Sequence, residues 1–290
     1  MEIRVPIQSN KAMPKPKTDS LPLPDPAAIQ KMLARMMGGN EEDNQSAERK
    51  AQDLIYDAMD ASTWDKRMRL VGQALKLDPA NVDAQRMMAE VTECDPVERV
   101  ELFRKAVAAG AKRLGKMTFQ DLVPHFWGFI ETRPYMRARL ALAGALCDAG
   151  RTDEAVKEFQ EMLALNENDN QGVRYELLPL LLTVGRLKEA GALMKRYKET
   201  GFNAVFAWGR VLERLLAGRK TDAARALAVA RKQNPHVEVY LKGHRKLPKQ
   251  VPGSYSPGSK EEALCYAGVL TTAWEAHPEA RAWLLEQPKA

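Results

Sequence analysis

The run HFWGFIETRPYMRARLALAGAL, residues 125–146, gathers side chains that could hold an anion. Arg133, Arg137 and Arg139 cannot all be buried cheaply, because an unpaired guanidinium inside a protein costs several kcal/mol or more. A guanidinium flanked by aromatic rings suits a carboxylate, a phosphate or a peptide carbonyl. Arg133, Tyr135 and Arg137, with Asn170, Arg174, Tyr175 and Trp208 further along, are therefore the candidate binding residues. The competing reading keeps these arginines inside, paired with Glu131 or Glu176. Phe126, Trp127, Phe129 and Ile130 are expected to cover a hydrophobic seam, since aromatics at near-helical spacing are mostly core.

Other chemistries find less support. NENDNQG (Asn166–Gly172) invites comparison with a calcium loop, but its Gly falls one place late and Leu177 stands where a Glu is needed. His125, His236, His244 and His277 show neither HxxxH nor HExxH spacing, and no GxSxG or phosphate-binding glycine loop occurs. The expectation is no catalytic residue, no metal and no cofactor. An unrecognised enzyme site near residues 125–139, around His125, Trp127 and Arg133, ranks last. Cys94, Cys147 and Cys265 lie far apart with no CxxC pair, which fits a reducing compartment and makes the cytoplasm the default.

What would position these residues is almost all helix. Residues 1–46 read as a flexible, proline-rich arm: six prolines fall by Pro26, and such a segment buries too little apolar surface to offset its ordering entropy. Within it DPAAIQKMLARMMGG has the marks of a short helix, capped by Asp25 and stopped by Gly38-Gly39, with Ile29, Met32, Leu33 and Met36 on one face. An acidic linker runs from Gly38 to Ser46.

Residues 47–250 carry an internal repeat. GRTDEA at Gly150, GRLKEA at Gly185 and GRKTDA at Gly218 recur at spacings of 35 and 33 residues. A period near 34 with two helices per unit is the mark of the tetratricopeptide repeat. Each Gly sits where a left-handed backbone must end a helix. Thr152 and Thr221 are placed to cap the next helix, and Ala155, Ala190 and Ala223 are small where two helices must approach. The clearest copy runs from Met136 to Asp169, with Leu142, Ala143, Leu146, Val156, Phe159, Met162 and Leu163 inward. Others begin near Gln171 and Ala204, and weaker copies span Glu48–Asn81 and Val82–Gly115. Residues 251–290 form a loop and a helical cap, opened by a Ser259–Glu262 capping box. The expected fold is all-α: antiparallel helix pairs stacked in a right-handed solenoid with a C-terminal capping helix.

In tetratricopeptide repeats the first helix of each unit lines a concave groove. On that register Arg137, Leu140 and Gly144 face the groove, followed by Gly172, Tyr175 and Pro179, then Val205, Trp208 and Leu212. The Lys and Asn with which chaperone-binding members grip a terminal carboxylate are missing there, so chaperone tails are not expected ligands. The phrases HFWGFIETRPYMRAR, NENDNQGVRYELL, NPHVEVYLKG and GSKEEALCYAGVLTTAWEAHPEARAWL together resemble bacterial relatives of the suppressor-of-tumorigenicity-seven family, from about Glu93 onward. That resemblance implies a helical repeat protein and carries over no catalytic residue.

Charge offers a second function. Of the net +6, the stretch Arg219–Lys260 holds ten Lys/Arg against Asp222 and Glu238. Lys242, His244, Arg245, Lys246 and Lys249 form a basic patch that could meet nucleic acid or an acidic partner. No apolar run approaches the ~20 residues of a membrane span. The leading expectation is a non-enzymatic scaffold that takes a protein segment, peptide or helix, in the groove; nucleic acid is the alternative partner.

Overall fold

The computed structural model describes residues 46–288, without the side chains of residues 116–118. The proline-rich arm and the helix expected at residues 25–39 lie outside the described residues. The described chain is all-α, its only β pairing being an isolated bridge between His125 and Asn166. It divides after residue 170 into two compact units.

In the first unit, α1 (Ala47–Met59), α2 (Trp64–Leu77), α3 (Val82–Val91), α4 (Pro96–Leu122, bent at Gly115), α5 (Arg133–Asp148) and α6 (Thr152–Leu165) each pack on the next. Starts are set by side-chain caps: Ser46, Thr63, Asn81 and Asp95 each accept from a backbone N–H of the first turn. The first helices also touch one another, α1 against α3 and α3 against α5. Ala51, Ile55, Val71, Ala74, Ala84 and Met87 make one core cluster. Two 3-10 turns, Phe126–Gly128 and Ile130–Thr132, lead into α5.

The second unit contains α7 (Val173–Thr183), α8 (Leu187–Tyr197), α9 (Ala204–Leu216), α10 (Lys220–Gln233), the short α11 (Glu238–Leu241), α12 (Lys260–Glu275) and α13 (Pro278–Glu286). Here α7 pairs with α8 and α9 with α10, and α7 and α9 lie side by side. The expected end cap does something else: α12 lies across both α7 and α9, and α13 returns against α12 and α9.

Gly150, Gly185 and Gly218 end α5, α7 and α9 with φ of 69°, 71° and 73°. At each, the next residue's N–H reaches back five positions, Arg151 to Leu146, Arg186 to Leu181 and Arg219 to Arg214, at 2.8–2.9 Å. This is the Schellman closure, which a side chain at the glycine would strain. The connection is so short that the next helix starts at once. Thr152 and Thr221 therefore lie inside α6 and α10, and the N-cap positions are Arg151 and Arg219. Arg151 and Arg186 fork onto Glu154 and Glu189, three residues on, at 2.6–2.9 Å. Ala155, Ala190 and Ala223 are fully buried, as their small size implied.

Candidate functional site

Arg137, on α5, reaches α3: its Nε donates to Asp83 Oδ1 at 2.8 Å and its Nη2 to Asp83 Oδ2. Asp83 has no exposed surface. Gln52 of α1 donates to the same carboxylate at 3.2 Å, and Arg86 lies 3.5 Å away while also pairing with Glu90. The result is a polar ladder crossing three successive first helices. Burial alone would raise the Asp83 carboxyl; the hydrogen bond and charge of Arg137, with Arg86 and Gln52, hold it below its ordinary value. Arg137 is thus a partner for Asp83, not for Glu131.

Arg139 is buried against α6, where it pairs with Glu158 and, at 2.6 Å, with Glu161. Tyr135 is buried and packs edge-on against Phe119 and Phe126, at 5.2 and 6.2 Å between ring centres. Burial pushes its phenol upward. Arg133 donates to the Trp127 carbonyl at 3.1 Å and lies over that indole at 5.5 Å. The seam is only partly covered: Phe126 is fully buried, Trp127 and Phe129 are half-buried, and Ile130 is exposed. Asn170 is exposed and accepts from Asn166 Nδ2 at 3.2 Å.

In the second unit Arg174 Nε donates to Glu199 Oε1 at 3.1 Å, and Tyr175 donates to Glu199 Oε2 at 2.7 Å. The guanidinium also stacks on Tyr175 and Tyr197, at 4.2 and 5.1 Å. A guanidinium between two aromatic rings does occur, but its carboxylate is the chain's own Glu199. Burial pushes the Tyr175 phenol well up.

Tyr175 and Trp208 do not face an open groove. The Tyr175 ring lies 5.5 Å from Tyr266 of α12 and 6.0 Å from Phe206 of α9. Trp208 is fully buried and donates to the Asn234 carbonyl at 3.1 Å. Val205, Leu212 and Pro179 are buried too. The physical reason is α12, which covers the faces of α7 and α9 beside it and places core aromatics where a groove was expected. Glu262 fastens it: this fully buried carboxylate accepts from the N–H groups of Ala204 and Gly258 at 2.9 and 2.6 Å, and from Asn234 Nδ2 at 2.9 Å. Ser259 caps Glu262 N–H as the capping-box spacing implied, while the Glu262 side chain leaves its own helix to serve α9.

Partly open positions occur on one helix of each unit taken by itself. On α5, Arg137, Leu140 and Ala141 are half-exposed and Gly144 is exposed, with no atom within 4 Å of where its Cβ would stand. On α7 the half-exposed positions are Glu176, Leu180 and Thr183, one residue round from the expected register.

The basic patch is divided. Lys242 is buried, bonded to Glu238 at 2.8 Å and to the Gln287 carbonyl at 3.3 Å. Arg231 donates to both oxygens of Glu238, at 2.7 and 2.8 Å, and to the Pro288 carbonyl at 2.7 Å. Together they pull the Glu238 carboxyl down against the opposing effect of burial. His244, Arg245, Lys246 and Lys249 are exposed.

Among the described residues no three His, Cys, Asp or Glu lie close enough to hold a metal ion. No described helix is long and apolar enough to cross a membrane. The small cavity between Gln52, Arg113, Pro134 and Tyr135, about 30 Å³, has room for water rather than a metabolite. Asp83, Glu199, Tyr266 and Glu262 organise these clusters, and only Glu262 carried a signal in the sequence. No protein-family model matches the chain, and no curated protein does.

Proposed function

We propose that the chain is a non-enzymatic scaffold that binds a peptide or helix of a partner protein on the first helices of its hairpins. The tetratricopeptide-like repeat and the resemblance to the suppressor-of-tumorigenicity-seven family belong to the same reading, as does a cytoplasmic location. The observation that carries it is the stripe on α5, where Leu140, Ala141 and Gly144 leave apolar surface partly open beside the neutralised Arg137. A shallow face with apolar positions and a fixed guanidinium at its edge is how helix-in-groove recognition is built.

Gly144→Glu tests this without touching the core, because nothing stands near the new side chain. It adds bulk and charge to the stripe while improving helix propensity. The immobilised variant is expected to lose partners that the wild-type chain retains from native lysate. Lys157→Glu, an exposed change on α6, is expected to keep them. Equal retention by both variants would remove the α5 face from consideration.

A second reading rests on Arg245, Lys246 and Lys249, exposed in a segment with no acid between Glu238 and Glu261. Phosphate contacts by these three give a retention on filters that falls steeply with salt. Absence of retention at low salt excludes nucleic acid.

A further inference from the structure

A first helix inside either unit rests on two neighbours, its own hairpin partner and the helix that comes before it. In the first unit α2 lies against α3 and α4 against α5; in the second, α8 lies against α9. No described helix precedes α1. The side it leaves open is apolar. Gln52 bonds to Asp83 and Asn81, so its side of α1 is the one that faces α3. Leu54, two residues on, points nearly the opposite way and is only half-buried against the core cluster. On α2, Leu70 and Leu77 are two turns apart, and the antiparallel pairing brings them to the same side as Leu54. Leu70 is half-buried and Leu77 is 43% exposed. Open apolar surface at the first hairpin of a stack calls for a covering element.

We propose that residues 26–37 of the same chain, PAAIQKMLARMM, supply that missing helix, laying Ile29, Met32, Leu33 and Met36 along Leu54, Leu70 and Leu77. Tether length, pattern and charge all favour this occupant. Residues 38–45 join the segment to Ser46, the N-cap of α1. Eight residues reach at most about 29 Å, whereas α1 is about 20 Å long, so the segment never leaves the neighbourhood of its site. That tether keeps it at an effective concentration near millimolar, which a separate partner would have to match. A connection of this length also suits two antiparallel neighbours. The segment has its own start at Asp25, its own stop at Gly38-Gly39 and one apolar stripe that needs cover. Its only charges are Lys31 and Arg35, and the exposed charges flanking Leu54, namely Lys50, Asp53 and Asp57, are acidic on balance. The site owes nothing to the α5 face, so the two readings fail separately.

Hydrogen exchange on the full chain, followed peptide by peptide across a range of protein concentrations, tests the docking. Amides of residues 29–36 are expected to exchange at least about tenfold more slowly than in an unfolded chain, at a rate independent of concentration. Leu33→Asp on the segment and Leu77→Lys on α2 are each expected to remove that protection and to speed exchange in α1. Protection in α5 and α6 should stay as it is, which shows that the fold survives; Leu33→Asp, outside the described hairpins, keeps the test valid if Leu77→Lys unfolds them. Residues 29–36 exchanging like an unfolded chain in the wild type would overturn the proposal. So would protection that either substitution leaves intact, which places the segment elsewhere, or protection that grows with concentration, which assigns the strip to a second copy.

Discussion

Asp83 keeps its charge with no exposed surface because Arg137 closes on both of its oxygens while Gln52 and Arg86 hold the flanks. Removing one member of such a pair strands the other. Arg137→Ala is expected to cost about 3–5 kcal/mol, whereas Asp83→Asn with Arg137→Met together should cost far less. Urea midpoints at pH 7 decide it, and a single substitution as mild as the double would show that the pair is idle. Glu176 behaves with the opposite sign. Its folded value of about 7 lies above the ordinary 4.5, so the folded chain takes up the proton first. Stability should therefore fall as pH rises from about 4.5 through 7, then level off. Glu176→Gln is expected to flatten that slope and gain about 1–2 kcal/mol at pH 8, after discounting for the part that water reaches. The arginines that matter were visible in the sequence; their partners were not. Helical spacing offers acids a few positions away, such as Glu131 and Glu176. The actual partners, Asp83 and Glu199, stand 54 and 25 residues distant, and only packing brings them near.

The helical hairpins were readable because their ends are written in residue chemistry. A glycine just past a helix needs the left-handed region, and three copies of Gly-Arg at nearly constant spacing place three such ends. Caps were less readable: Thr152 has the right chemistry, but the three-residue connection leaves it no place outside the helix, so the Arg151–Glu154 fork takes over. The two kinds of glycine in this chain separate in one experiment. Gly185→Ala puts a side chain at φ 71° and should cost about 1–2 kcal/mol. Gly144→Ala lies within helical α5 with open space around it and should gain about 0.5–1 kcal/mol. Thermal melts that shift the same way for both would mean that Gly185 is not holding the turn.

Across the whole molecule, the tail residues were recognisable as helix, since Ser259, Glu262 and the apolar positions Ala263, Ala267, Leu270 and Trp274 lie in one register. Where that helix goes was not recognisable. An amphipathic helix is equally suited to covering the last hairpin or to lying across several, and its own sequence is the same in both cases. The structure chooses the second: α12 spans α7 and α9, with Tyr266 on Tyr175 and Glu262 on the start of α9. The two arrangements differ in which helices depend on the tail. An end cap protects its immediate neighbour, so weakening it would loosen α9 and α10 and leave α7 untouched. A helix bound to both couples them. Tyr266→Ala removes a buried aromatic from the α7 contact and should cost about 3–5 kcal/mol. Glu262→Ala strands the Ala204 N–H and Asn234 Nδ2 at the α9 contact, at a cost of about 1–3 kcal/mol for each group left unpaired. In native-state hydrogen exchange each substitution alone is expected to lower protection in both α7 and α9, because losing either contact loosens α12 from the two together. Protection that falls in α9 while α7 holds, after either substitution, would return the tail to the role of a terminal cap and reopen the face on which Tyr175 and Trp208 stand.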